Sequence, residues 1–174
     1  MFSDPQRNVT QFHLVPGAQV ADFGAGPGFY TIPLARVVGG GKVHAIEVQK
    51  DMLAKLKSNA HGAHVTNVEY LWGDIERVGG THLADGSMDA VVAANIIFQV
   101  TDKAGMIKEA HRILKTGGRI FLIDWKESYG GIGPMASQVV PEIKAKELLD
   151  AHGFGFERTI SAGEHHYGLV YKKK

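Results

Sequence analysis

Short β-branched runs alternate with stretches of helical spacing along the chain. Gln19 to Phe23 reads as a buried strand that enters a glycine-rich turn, and Phe29 to Val38 as an apolar helix stopped by Gly39-Gly40-Gly41. Lys42 to Glu47 is a second strand. Lys50 to Ala60 carries Met52, Leu53 and Leu56 at helical spacing, and Val68 to Trp72 is a third strand closed by Gly73-Asp74. Met88 to Ala93 is a fourth strand, Asp102 to Leu114 a helix with Asp102 near its cap, and Arg119 to Asp124 a fifth strand after a turn at Gly117-Gly118. From Trp125 to Val140 the periodicity is lost and Gly130, Gly131, Gly133 and Pro134 gather, which marks one long loop. Pro141 suits a first helical turn, Glu142 to Ala151 is amphipathic, and Gly153 suits the C-terminal cap. Phe156 to Ser161 and Glu164 to Tyr171, around Ala162-Gly163, read as a hairpin. The alternation predicts an α/β fold, a doubly wound sheet of seven mostly parallel strands that ends in an antiparallel hairpin.

Composition narrows the function classes. The 174 residues amount to roughly 1.2 typical domains, so a single domain is expected, with residues 1–16 as a short cap and 17–174 as the core. The 19 Lys and Arg against 18 Asp and Glu leave a net charge of +1, which argues against a nucleic-acid partner. The terminal Lys172-Lys173-Lys174 run reads as a solvated tail. With no cysteine, disulfides, thiolate metal sites, Fe–S clusters and cysteine nucleophiles are excluded, and no metal site is expected. No stretch approaches the roughly 18 apolar residues of a membrane span, and the N-terminus lacks an apolar signal region, so the expected location is cytoplasmic. Glycine is abundant, at 22 residues. A backbone that turns tightly or closely approaches a ligand needs it.

The loop between the first strand and the first long helix reads Asp22-Phe23-Gly24-Ala25-Gly26-Pro27-Gly28. A dinucleotide fingerprint G-x-G-x-x-G fails in either register, because Phe29 or Thr31 falls at the third glycine. No Gly-Lys-Ser/Thr follows, so a P-loop fails too. Pro27 has no N–H to offer a phosphate, and Asp22 would repel one. Both features suit a ligand that lacks phosphate and carries positive charge.

These residues resemble the first motif, D-x-G-x-G-x-G, of the class I S-adenosylmethionine-dependent methyltransferases. The resemblance continues through Glu47 at the end of the second strand, Gly73-Asp74-Ile75 after the third, Met88-Asp89-Ala90-Val91-Val92 with Asn95 at the fourth, and Arg112-Ile113-Leu114-Lys115-Thr116-Gly117-Gly118 before the fifth. It implies a Rossmann-like fold and S-adenosyl-L-methionine as cofactor. It further implies a cofactor site made of Asp22, Gly24, Ala25, Gly26, Gly28, Glu47, Val48, Asp74, Ile75 and Asn95. Asp22 and the loop backbone would hold the amino-acid end, Glu47 the ribose, and Asp74 with Ile75 the adenine. Asp89 is structural in this pattern, and Phe29, at the start of a helix facing the sheet, is assigned to the core.

Departures from the pattern bear on the acceptor. Many small-molecule members read N-x-x-x-H after the fourth strand, whereas Asn95-Ile96-Ile97-Phe98-Gln99 ends in glutamine and supplies no base. The N-P-P-Y/F motif of amino methylases is matched only at its ends, by Asn95 and Phe98. Arsenite and cytosine C5 methylation, as those families perform them, need cysteine. In the family's strand order the last strand lies beside the fifth, so His165 or His166 would come near Asp124 or the long loop. The candidate catalytic set is therefore His165, His166, Asn95 and Asp124, with the Trp125–Val140 loop as a substrate lid. The expected activity is methyl transfer to a small molecule. The rival readings are a cofactor-binding module completed by a partner chain or a second copy, and a protein or RNA methyltransferase.

Overall fold

The computed structural model describes residues 3–174. Seven strands form one sheet: β1 (Gln19–Phe23), β2 (Lys42–Glu47), β3 (Val68–Trp72), β4 (Met88–Ala94), β5 (Leu114–Trp125), β6 (Phe154–Thr159) and β7 (His166–Lys173), in the order β3-β2-β1-β4-β5-β7-β6. Strands β1 to β5 pair in parallel, and β7 runs antiparallel to both β5 and β6. Parallel neighbours need crossovers, which are supplied in part by α2 (Thr31–Val38), α3 (Lys50–Gly62) and α4 (Lys103–Ile113), with α5 (Glu142–Asp150) leading into β6. Among the described residues no helix is long and apolar enough to cross a membrane.

The central strands are apolar in both parities because helices cover both faces. Ile120 and Leu122 of β5 join a core with Met106 and Ile107 of α4 and Leu149 of α5, while Phe121 and Ile123 point the other way, toward Leu34 of α2. That second face is also closed by α1 (Pro5–Thr10), a helix too short to show in the hydrophobic pattern. The Asp4 carboxylate caps it by accepting the N–H groups of Gln6 and Arg7. Phe12, just beyond α1, stacks on Phe121 with ring centroids 4.2 Å apart.

Several boundaries differ from the sequence reading. Helix α2 starts at Thr31 rather than Phe29. Strand β5 starts at Leu114 rather than Arg119: Met88 pairs with Leu114 and Ala90 with Arg119, so Gly117-Gly118 lies inside a bulged strand and not in a turn before it. Strand β6 sits two residues earlier and β7 two residues later than their periodicity suggested, which leaves a longer connection around Ala162-Gly163.

Arg112 proves structural. Glu109 is fully buried and accepts from the N–H groups of Gly79 and Thr81, the Thr81 hydroxyl, and Nε and Nη2 of Arg112, both at 2.8 Å. Arg112 also donates to the Leu83 carbonyl and pairs with Asp85. This clasp ties α4 to the segment after β3. Burial pushes the Glu109 carboxyl up, but hydrogen bonds from Arg112, Thr81 and Gly79 outweigh it and hold the pKa at about 2. A value depressed by folding means the stabilisation is complete above about pH 4.5 and is lost as pH falls toward 2. Glu109→Gln is expected to lower stability at pH 7 by about 3 kcal/mol. Urea denaturation should also show that the variant loses less stability than the wild type between pH 4.5 and 2.

Candidate functional site

The crossover leaving β1 leads to β2 on one side, while β4 pairs on the other, so a crevice opens at the carboxyl end of β1. The glycine loop lies across it. Gly24 and Ala25 both donate to the Ile46 carbonyl, at 3.0 and 3.1 Å, which straps the loop to β2. Gly24, at φ +66°, lets Ile96 approach so closely that a Cβ would stand 2.6 Å from its Cδ1. Gly26, at φ +52°, has nothing nearer its Cβ position than the Gly24 carbonyl at 3.9 Å, so it forms an open ledge. Gly28 is set differently from the other two. Its Cβ position lies 3.2 Å from Leu56 of α3 and it is not among the residues of the two clefts described next, so its small size serves helix packing.

Two clefts meet on this ledge. One, about 340 Å³, is lined by Glu47, Val48, Asp74, Ile75 and Met52; the other, about 460 Å³, by Ser3, Asp22, Ala25, Tyr30 and Ala94. They share Gly24, Gly26, Pro27, Asn95 and Gln99. Both volumes suit a small-molecule site. The structure thus brings together every cofactor candidate from the sequence except Gly28. Sequence reasoning missed Met52, Ile96 and Val100, whose apolar character gave no reason to prefer the crevice over the core.

The described lining holds four carboxyl groups, of Asp22, Glu47, Asp74 and Glu76, and no Lys, Arg or His. Glu47 accepts from the Gly26 and Gln49 N–H groups, each at 2.9 Å, one on each oxygen. A carboxylate has about four lone-pair positions, so capacity remains for two further donors. Asp74 accepts from the Glu76 N–H at 2.9 Å and stays partly exposed. Asp22 is 2% exposed and accepts from the Thr31 hydroxyl at 2.6 Å. Burial drives its pKa up to about 7; the Thr31 hydrogen bond opposes this and the nearby Glu47 charge adds to it. Asn95, where the clefts meet, has the left-handed φ of +55° and a buried Oδ1 without a donor. An orphaned acceptor in a crevice is free to take a hydrogen bond from a ligand.

The remaining catalytic candidates stand apart from the clefts. Asp124 is buried and accepts from the Ile97 N–H at 3.0 Å and the Trp125 N–H at 2.8 Å. It anchors the backbone after β4, and it is the long loop rather than Asp124 that a histidine on the approach to β7 meets. The Nδ1 of His165 lies 2.9 Å from Glu127, and its ring stacks on Tyr129. His166 is buried against Trp125, with ring centroids 4.2 Å apart. Phe29 is a further correction. It is 73% exposed on the rim of the second cleft, because the helix starts later and Tyr30 takes the inner position, its hydroxyl 2.8 Å from the Asn8 amide.

The profile of the family described as "Methyltransferase domain" matches residues 21–122. The arsenite methyltransferase of Aquipseudomonas alcaligenes is 35% identical over 116 residues, 64% of this chain and 34% of that protein. The ubiquinone/menaquinone biosynthesis C-methyltransferase of Haemophilus ducreyi is 28% identical over 113 residues, 64% of this chain and 42% of that protein. The match therefore spans about a third of the first relative's length and about two fifths of the second's. The crystal structure of a SAM-dependent methyltransferase from Aquifex aeolicus superposes with a TM-score of 0.89 at 27% identity, covering 99% of this chain and 91% of that one. On the family match, the fold and the acid-lined crevice, the chain belongs to the methyltransferase-domain family of class I S-adenosylmethionine-dependent methyltransferases, whose cofactor is S-adenosylmethionine.

Proposed function

We propose that the protein transfers a methyl group from S-adenosylmethionine to a small-molecule acceptor. The observation that carries this reading is the charge of the crevice, four carboxyl groups with no basic side chain among the described lining residues. Such a site disfavours phosphate-bearing ligands and favours a cation. S-adenosylmethionine supplies a methyl group on a positively charged sulfur, which leaves as a neutral thioether when a lone pair displaces it.

The residues fit that cofactor. Asp22 and the ledge from Gly24 to Gly26 would hold the cationic amino-acid end, Glu47 would accept the ribose hydroxyls with its spare lone pairs, and Asp74 with Ile75 and Val48 would border the adenine. Asn95 offers the orphaned Oδ1 where the clefts join. Positioning and exclusion of water are then the main contributions of the protein to the rate. Relatives include enzymes named for arsenite and for quinone biosynthesis. This chain has no cysteine to hold trivalent arsenic, so an organic acceptor is the better reading. Calorimetry should show binding of S-adenosylmethionine and none of NADH. Methyl transfer from radiolabelled cofactor to a metabolite panel tests the reaction, and a purified chain that binds but never transfers overturns it.

Ionised Asp22 is the form that holds a cation, and its pKa in the free protein is raised to about 7. Affinity for S-adenosylmethionine should therefore rise by up to tenfold per unit from pH 5 to 7 and then flatten, before the ligand's own α-amine deprotonates near pH 8. Asp22→Asn should bind weakly with a flat profile. Glu47→Ala should weaken binding by about 1.5–3 kcal/mol, and the penalty for a 2′-deoxyribose analogue should shrink in that variant. Gly26→Arg, with a side chain in the crevice and a disfavoured backbone, should abolish binding while the circular dichroism spectrum stays native.

A further inference from the structure

His166 opens β7 opposite Trp125 of β5, and cross-strand partners share a face of the sheet. The ladders Trp125–His166, Ile123–Ala94 and Val92–Asp22 place these residues on one face at the carboxyl edge. Asp22 and Ala94 line the second cleft, and Trp125 and His166 extend the same row two strands further. His166 is 3% exposed, and neither ring nitrogen has a hydrogen-bond partner. Buried polar groups are ordinarily satisfied, so a histidine with two idle nitrogens in the row that continues from the second cleft points to a missing partner. Burial, with His165 and Lys126 adding positive charge, pushes its pKa down to about 4 and keeps the ring neutral.

The loop that follows β5 packs on the indole of this pair. Gly133, at φ +80°, lies so close that a Cβ would stand 2.7 Å from the Trp125 indole, and Gly130 and Gly131 also have positive φ. Tyr129, Ile132 and Met135 of the same loop expose 44%, 51% and 65% of their surface.

We propose that Trp125 and His166 form the seat of the methyl acceptor, that the acceptor is an uncharged planar ring bearing a hydroxyl group, and that residues 126–140 swing off Trp125 to admit it. This rests on the reading of the crevice as the cofactor site. A neutral imidazole offers one donor and one acceptor, which a hydroxyl matches because it can both give and take a hydrogen bond. The indole face suits a flat ring. A cationic amine is disfavoured, since Lys126 and His165 are the charges acting on His166, the Glu127 carboxylate is engaged by His165, and Asp124 points to the opposite face.

The test uses the full chain saturated with S-adenosylhomocysteine and measures binding of 4-nitrophenol and benzylamine by calorimetry at about pH 6, where 4-nitrophenol keeps its proton and benzylamine is cationic, with histidine ring ¹⁵N shifts as a second readout. 4-Nitrophenol should bind and move the His166 ring signals, and benzylamine should bind at least tenfold more weakly. His166→Phe should weaken 4-nitrophenol at least tenfold, His166→Gln less, since it keeps a donor and an acceptor, and His165→Gln by less than twofold. All three variants should hold S-adenosylhomocysteine within twofold of wild type. Equal 4-nitrophenol affinity in His166→Phe, benzylamine binding as tightly, or no 4-nitrophenol binding overturns the acceptor seat while the cofactor reading stands. Failure of the wild type to bind S-adenosylhomocysteine overturns both.

Discussion

Strand β1 pairs in parallel with β2 along one side and with β4 along the other, and the chain that leaves it cannot cover both neighbours. The glycine loop therefore turns toward β2, strapped to Ile46, and the space above β4 stays open. The other parts of the crevice follow from that division. Glu47 closes β2 and reaches back to the Gly26 N–H, while Asn95 leaves β4 with its own N–H on the Ile123 carbonyl of β5. The two clefts are the two sides of one reversal in strand order.

Two buried carboxyl groups show how differently the fold treats structure and function. Glu109 receives bonds from two backbone N–H groups, a hydroxyl and a guanidinium, and its charge is held firmly. Asp22, almost as buried, has the Thr31 hydroxyl on one oxygen and a second acid nearby, and its charge is resisted. An acid left under-compensated costs stability in the empty protein, a cost that a cationic ligand would recover on binding. Asp124 stands between the two: backbone N–H groups hold it, yet burial still pushes its pKa up to about 6, while Asn95 and His166 keep idle polar atoms at the carboxyl edge.

The sequence by itself determined the strand limits of β1, β2 and β3 and the glycine loop, because strand periodicity and glycine turns are local signals. It also placed Asp22, Glu47 and Asp74 at one edge, since each ends or follows a parallel strand and parallel strands end together. Tertiary structure decided what depends on contacts distant in sequence. Gly28 fits the motif pattern, but Leu56 of α3 claims the space beside it. Phe29 looked apolar enough for the core, but the late start of α2 gave the inner place to Tyr30, held by Asn8. His165 and His166 are neighbours that no local pattern distinguishes. The β5–β7 register set His166 against Trp125 and turned His165 to Glu127, because in a ladder a shift of one residue exchanges the faces of the sheet.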